Sequence, residues 1–143
     1  VGCIVRKGTQ VLLVRHTYGG ANGKLLIPGG FCHENELPEE AAVREVSEET
    51  GISAAVKRMA GIRCERNSWY MLLEMDYISG TPTSDMSENN EALFCEISEA
   101  LSRNDCTEMT KVALRKIRND TENCFYSDPE YKKHKGDNYT LYI

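Results

Sequence analysis

The chain has 143 residues, of which 41% are hydrophobic and 27% charged, and its formal net charge is −5 at pH 7. A chain of this length buries a sizeable core as one domain, so we expect no second domain. The acidic balance, with no basic stripe, argues against polymeric nucleic acid as a partner, because neutralisation of phosphates dominates affinity for such polymers.

Two short strands are predicted near residues 1–6 and 10–15, and a third precedes the segment Ile27-Pro28-Gly29-Gly30. The paired glycines there form a turn in which the backbone can approach a ligand or a metal closely. A backbone carbonyl of this turn, that of Gly30, is therefore a candidate metal ligand.

A loop from His16 to Gly23 joins the second and third strands. Arg15 and Lys24 stand at its two ends, and both are candidates for contact with an anionic ligand such as a phosphate group. The alternative is that they are ordinary surface cations beside a flexible loop.

A helix of three to four turns is predicted to begin near Leu37 and to end at Gly51. Pro38 suits the first turn, where its missing N–H is not needed, and glycine can end a helix in the left-handed conformation. Glu39 and Glu40 favour the positive end of the helix dipole. Three apolar residues share an arc suited to packing on a sheet: Ala42, Val43 and Val46.

Glu45, Glu48 and Glu49 occupy a separate arc of this helix, about 100° wide. If that face lined a cleft, repulsion would reach about 3 kcal/mol per pair at 6 Å and an effective dielectric of 20, and a cation would be needed to offset it. Because all the candidate ligands are oxygens, Mg²⁺ or Mn²⁺ is favoured over Zn²⁺. The alternative for the three glutamates alone is a solvated acidic helix face.

Arg44 lies on the same helix and can pair with Glu40 or Glu48 there, or cross to Glu36 in the preceding loop. We interpret Arg44 and Glu36 as residues that fix the loop, with the chemistry left to the other glutamates.

The segment from Gly30 to Ile52, GFCHENELPEEAAVREVSEETGI, resembles the Nudix box. A chance match to its register is expected on the order of once in 10⁹ placements. Asn35 stands where that pattern usually has glycine, and asparagine is the next best residue for a positive φ. The resemblance extends over residues 1–118, with 119–143 as a polar C-terminal extension of the same domain. It implies an α+β fold: a Nudix-type α/β/α sandwich with a mixed sheet, the catalytic helix following the Gly-Gly loop.

The resemblance implies a hydrolase that uses Mg²⁺, or Mn²⁺, to cut a nucleoside diphosphate linked to another moiety. The products would be a nucleoside monophosphate and a phosphorylated remainder. It places Glu45 and Glu49 as metal ligands, with Glu48 as a third ligand or acting on the water. Glu91 is a candidate for a further ligand or general base from outside the box, or else an exposed loop residue. The competing function is a Nudix-like module that binds a nucleotide for regulation without hydrolysing it.

Beyond the helix, alternation predicts two long strands over 54–64 and 69–78, a polar loop over 83–90 and a strand over 91–97. Helical spacing predicts a second helix after Asp105 or Thr107. Trp69 and Tyr70 are candidates for stacking on a base, although core packing is the preferred interpretation of Trp69.

The last residues, 139–143, alternate like a strand that docks on a sheet edge or on a second subunit, so a homodimer stays open. The basic run at 132–135 is interpreted as a solvated face. The six cysteines have no metal-ligand spacing, and we expect free thiols in a reducing cytoplasm. No leader or membrane span is predicted.

Overall fold

In a computed structural model, which describes residues 1–119 and 139–143, helices pack on both faces of a mixed sheet. The strands are β1 (Gly2–Lys7), β2 (Gln10–His16), β3 (Leu25–Leu26), β4 (Ser53–Glu65), β5 (Ser68–Ser79), β6 (Asn89–Glu96) and β7 (Tyr139–Tyr142). The helices are α1 (Pro38–Thr50), α2 (Ile97–Ser102) and α3 (Glu108–Asn119), and one short 3-10 turn spans Gly19–Ala21.

The sheet runs in the order β3-β2-β1-β5-β4-β7, and β6 also pairs with β2. The contact between β1 and β5 is parallel, whereas the other named strand pairs are antiparallel. Because the parallel pair aligns Gly2 with Leu72, the start of β1 lies in the middle of the sheet. The Gly-Gly turn lies beside the start of β1, since the Cys3 amide donates a hydrogen bond of 2.8 Å to the Pro28 carbonyl.

Alternation along the strands divides the core into two layers, one on each face of the sheet. Leu72 belongs to the layer under α2 and α3, and its neighbour Leu73 belongs to the layer under α1. The layer under α1 contains Val1, Cys3, Val5, Leu12, Ala41, Ala42, Val46, Ile52, Ala54, Leu73 and Met75. The α+β sandwich predicted from the sequence is therefore confirmed.

The predicted strands of the first half, the helix α1, the long hairpin β4–β5 and the helix α3 are all present at nearly the predicted bounds. Gly51 ends α1 with φ 67°, in the left-handed conformation expected of it. The helix α2 was not predicted, because six residues are too few to show helical periodicity. The terminal strand β7 pairs with β4 of the same chain, which places it on a sheet edge.

Two predictions about apolar residues are wrong. Val43 is 43% exposed, and Ala41 takes the packing position on α1 instead. Trp69 is 77% exposed, because it stands at the first residues of β5, next to the hairpin turn and beyond the part of the sheet that α1 covers. Tyr70 faces the layer under α3 and stacks against the Arg63 guanidinium, 4.7 Å from the ring centre.

Within the ranges that the structure describes, no helix combines the length and hydrophobicity needed to cross a membrane. The five described cysteines are free thiols. Cys124 and the basic run at 132–135 lie outside the described residues.

Candidate active site

The loop between β3 and α1 is fixed by one ion pair and one backbone turn. Asn35 has φ 64°, as the sequence predicts for that position. The Glu36 carboxylate accepts a hydrogen bond from the His33 amide at 2.8 Å and two from Arg44, at 2.8 and 2.9 Å. These bonds, chiefly those from Arg44, lower the pKa of Glu36 to about 2. The predicted role of both residues in fixing the loop fits these contacts.

Arg44 uses its remaining donors on the metal-ligand candidates and on the loop backbone. Its Nη1 donates to Glu45 Oε1 at 2.9 Å and to Glu48 Oε2 at 3.0 Å, and its Nη2 donates to the Phe31 carbonyl at 2.9 Å. Glu40, a third predicted partner, instead accepts from the Leu37 amide at 2.9 Å and caps the helix. Arg44 thus ties the loop before α1 to two of the three acids on its face.

The three acids of α1 differ sharply in exposure. The Glu48 side chain is 60% exposed and the Glu45 side chain 14%, whereas Glu49 is 3% exposed as a residue. Helix geometry set them on one arc, and packing against the sheet then buried one end of that arc. The acidic face therefore runs from solvent into the protein interior.

Glu49 is the most unusual acid of this set. Its Oε1 accepts a long hydrogen bond of 3.4 Å from the Gly29 amide, and its Oε2 is buried with no hydrogen-bond partner. Burial raises the pKa of Glu49 to about 8, and the charges of Glu45, Glu88 and Asp85 act in the same direction. A buried carboxylate with a free oxygen among like charges is an arrangement that a cation would stabilise.

The Gly-Gly turn leaves room for the Glu45 carboxylate. A Cβ added to Gly30 would lie 2.3 Å from Glu45 Oε1, so only glycine lets this carboxylate lie against the turn. The Gly30 carbonyl accepts a hydrogen bond of 2.6 Å from the backbone nitrogen of Val1 and has a second lone pair for another contact.

These residues fit a hard divalent cation. The donors are carboxylate and carbonyl oxygens, and the free Oε2 of Glu49 is an acceptor that the fold alone leaves unused. In residues 1–119 and 139–143, however, no three acidic, His or Cys side chains are already gathered as a cation site. Arg44 lies between Glu45 and Glu48, so its guanidinium would have to yield part of these contacts.

Arg15 and Glu91, both predicted site residues, form an ion pair with each other. Arg15 Nε donates to Glu91 Oε2 at 2.6 Å, and its Nη1 donates to the Gly23 carbonyl at 2.9 Å and to Asp105 Oδ2 at 3.1 Å. These contacts join β2, β6 and the link between α2 and α3, which favours a structural role for both residues. Lys24, the other predicted phosphate contact, is exposed.

Two acids from outside α1, Asp85 and Glu88, act on the Glu49 carboxyl, and the sequence singled out neither; Glu88 is the one that also contacts Tyr18. Tyr18 lies at the same place: partial burial raises the pKa of its phenol to about 12, with contributions from Glu88, Glu49 and Glu45. The only sequence signal was the acidic composition of the polar loop before β6.

Comparisons with known proteins identify the family and the fold of the chain. Residues 1–116 match the NUDIX domain family. An ADP-ribose pyrophosphatase of Methanocaldococcus jannaschii is 39% identical over 59 residues, which cover 41% of this chain and 35% of that protein. An NAD-capped RNA hydrolase of Vibrio parahaemolyticus is 34% identical over 97 residues, covering 66% of this chain and 37% of that protein. The matched segments span little more than a third of these two relatives.

Solved structures show the same fold. A Nudix hydrolase from Nitrosomonas europaea superposes with a TM-score of 0.72 at 21% identity, over 95% of this chain and 71% of that one. A Nudix-family hydrolase from Clostridium perfringens superposes with a TM-score of 0.70 at 18% identity, over 84% of this chain and 95% of that one. The family match covers most of the chain and includes the acidic helix and the Gly-Gly turn. The chain belongs to the Nudix family.

Proposed function

We propose that the chain is a Mg²⁺-dependent hydrolase of a nucleoside diphosphate linked to another moiety, releasing a nucleoside monophosphate and a phosphorylated product. The observation that carries this proposal is the buried Glu49 carboxylate, whose Oε2 has no partner, beside Glu45 and the Gly-Gly turn. The names of two relatives support it, because ADP-ribose and NAD both contain a diphosphate that bridges two groups.

In this proposal Glu45, Glu48, Glu49 and the Gly30 carbonyl hold the cation, with Mn²⁺ as a substitute. A divalent ion would supply Lewis-acid activation at phosphorus when bound. In this proposal Glu48, the most exposed of the three acids, is either the third ligand or the group that accepts a proton from water, and Glu88 adds a further carboxylate from the loop before β6. Arg44 and Glu36 keep the loop and the helix in register.

The competing function is a nucleotide-binding module that does not hydrolyse its ligand. A panel of ADP-ribose, NAD, nucleoside triphosphates, dinucleoside polyphosphates and nucleotide sugars, assayed with and without Mg²⁺, separates the two. We expect Mg²⁺-dependent release of a nucleoside monophosphate from at least one diphosphate-linked compound. Reaction in ¹⁸O-labelled water then shows which phosphorus is attacked. Tight nucleotide binding with no product from any compound would support the module instead.

Alanine in place of Gly30 is expected to lower turnover by about 10²-fold, with little change in melting temperature. The new Cβ would meet Glu45 Oε1 at 2.3 Å, and the end of a flexible side chain can move away at small cost to folding. A displaced ligand, however, costs the reaction a factor of that order. Gly20→Ala, which meets nothing within 4 Å, is the matched control. Equal activity of the two variants would contradict the role given to the turn.

Glutamine in place of Glu91 tests whether this residue acts in the reaction or only pairs with Arg15. For a partly exposed ion pair we expect a loss of less than about 1 kcal/mol in the free energy of unfolding, from urea titration. We also expect a loss of turnover below about tenfold, whereas loss of a general base typically costs 10²–10⁴-fold. A loss of turnover in that higher range would indicate that Glu91 takes part in catalysis.

A further inference from the structure

We propose that Tyr18 is a positioning residue whose phenol holds the Glu88 carboxylate beside the acids of α1, so that the loop after β2 contributes to cation binding without supplying a ligand. This inference rests on the proposed function, because it assigns Glu88 to the same cation site. It identifies two residues outside the Nudix box, from different loops, that act as one unit.

The side chain and the backbone of Glu88 are held by the same short segment. Tyr18 Oη donates to Glu88 Oε2 at 3.0 Å. The Thr17 amide and its Oγ1 both donate to the Glu88 carbonyl, at 3.1 and 3.0 Å, and Oγ1 also lies 3.1 Å from the Ser87 carbonyl. Two consecutive residues after β2 therefore fix both the position of Glu88 and the direction of its carboxylate.

The other side of Glu88 is tied to the helix that carries the box acids. Asp85 Oδ1 accepts hydrogen bonds from the amides of Ser87, Glu88 and Asn89, at 2.9, 3.1 and 3.1 Å, and closes the loop into a tight turn. Asn89, fully buried, donates from Nδ2 to the Glu49 carbonyl at 3.0 Å. The backbone next to Glu88 is thus anchored directly to Glu49.

This geometry holds two acidic residues, Glu88 and Glu49, in neighbouring segments, an arrangement that a cation between them would favour. The charge of Glu88 opposes ionisation of the Glu49 carboxyl. Glu49 is only 3% exposed, and its Oε2 has no hydrogen-bond partner. Glu88 and Tyr18 are both exposed, so several orientations are open to the Glu88 carboxylate, and the Tyr18 hydroxyl favours one of them. A hydroxyl donor to an ionised carboxylate gives a strong hydrogen bond, and it occupies one oxygen while leaving the other available to a cation.

The simpler reading is that the Tyr18 ring only packs the loop, since it lies 4.4 Å from the His16 ring, centre to centre. Phenylalanine distinguishes the two, because it keeps the ring contact and removes only the hydroxyl. A packing role predicts that Tyr18→Phe behaves like the wild type, and a positioning role predicts that it resembles Glu88→Gln.

The experiment measures Mn²⁺ affinity by calorimetry, without substrate, for the full chain and for Tyr18→Phe, Glu88→Gln and the double variant. We expect each single variant to bind Mn²⁺ about tenfold more weakly, as for a lost partner of a metal ligand, and the double variant to bind no more weakly than Glu88→Gln alone. Tyr77→Phe, which removes an exposed hydroxyl bonded to the Gly80 carbonyl at 2.9 Å, is the matched control and should bind as the wild type does. Circular dichroism verifies that each variant is folded.

Unchanged affinity in Tyr18→Phe, or losses that add in the double variant, would overturn the inference and leave the proposed function intact. Mn²⁺ binding that responds as expected, without turnover of any compound in the panel, would overturn the proposed hydrolase and leave the positioning role standing. Wild-type protein that binds no Mn²⁺ would overturn both.

Discussion

Glutamine in place of Glu49 is expected to abolish most of the Mg²⁺-dependent turnover while leaving the metal-free protein at least as stable as the wild type. The residue is only 3% exposed, its Oε2 has no partner, and the charges of Glu45 and Glu88 act against its ionised form. A neutral amide of the same size avoids the cost of taking up a proton at neutral pH, or of burying a charge at higher pH, although its own N–H₂ must find an acceptor. The carboxylate therefore disfavours folding where it stands and favours the bound cation.

The expected loss of turnover is about 10²–10³-fold, the range found when one preorganised electrostatic group is removed from an active site. Thermal unfolding with and without Mg²⁺ supplies the second measurement, since the stabilisation by Mg²⁺ should shrink in the variant. Glu108→Gln, which removes an exposed carboxylate paired with Arg115 at 3.0 Å, is the matched control. If metal-free Glu49→Gln melted far below the metal-free wild type, Glu49 would have a structural role in the fold, and the prediction would be contradicted.

Local rules were sufficient to predict much of this site. The bounds of α1 follow from Pro38 and Gly51, since a proline in the first turn and a glycine after the last are each determined by backbone chemistry alone. The positive φ of Asn35 is of the same kind. The placing of Glu45, Glu48 and Glu49 on one face needed only the helical repeat. In each of these features, the residues that determine the conformation are close together along the chain.

Contacts between distant segments could not be predicted in this way. Tyr18 and Glu88 are separated by 70 residues, and Arg15 and Glu91 by 76, so no periodicity relates them. Glu88 and Glu91 are both acidic and three residues apart. Which of them lies near the acids of α1 depends on the residue that faces each one, Tyr18 for Glu88 and Arg15 for Glu91. Trp69 was misplaced for a related reason, because its exposure depends on where α1 stops covering the sheet.

Lysine in place of Arg44 is expected to lower turnover by about 10²-fold, more than the retained positive charge would suggest. The planar guanidinium makes two parallel bonds to Glu36, bridges Glu45 and Glu48 from one nitrogen, and reaches the Phe31 carbonyl from another. A lysine ammonium is a single point with three donors and cannot maintain this set of contacts at once. The loop and the Glu45 carboxylate would then shift relative to each other, and misplacement of about 1 Å costs a factor of that order.

The measurement is kcat and KM for Arg44→Lys at saturating Mg²⁺, with Arg115→Lys as the control, since Arg115 makes one exposed ion pair with Glu108. If the guanidinium acts by shape, the Arg44→Lys loss persists at any Mg²⁺ concentration, because added cation cannot restore the register of the loop. If the guanidinium only offsets the charge of the acids, lysine replaces it and turnover stays near the wild-type value. Glu36→Gln extends the test, because Glu36 is linked to Glu45 through the Arg44 guanidinium. Loss of turnover in both Glu36→Gln and Arg44→Lys would support the positioning role of this guanidinium. Wild-type turnover in both variants would contradict that role.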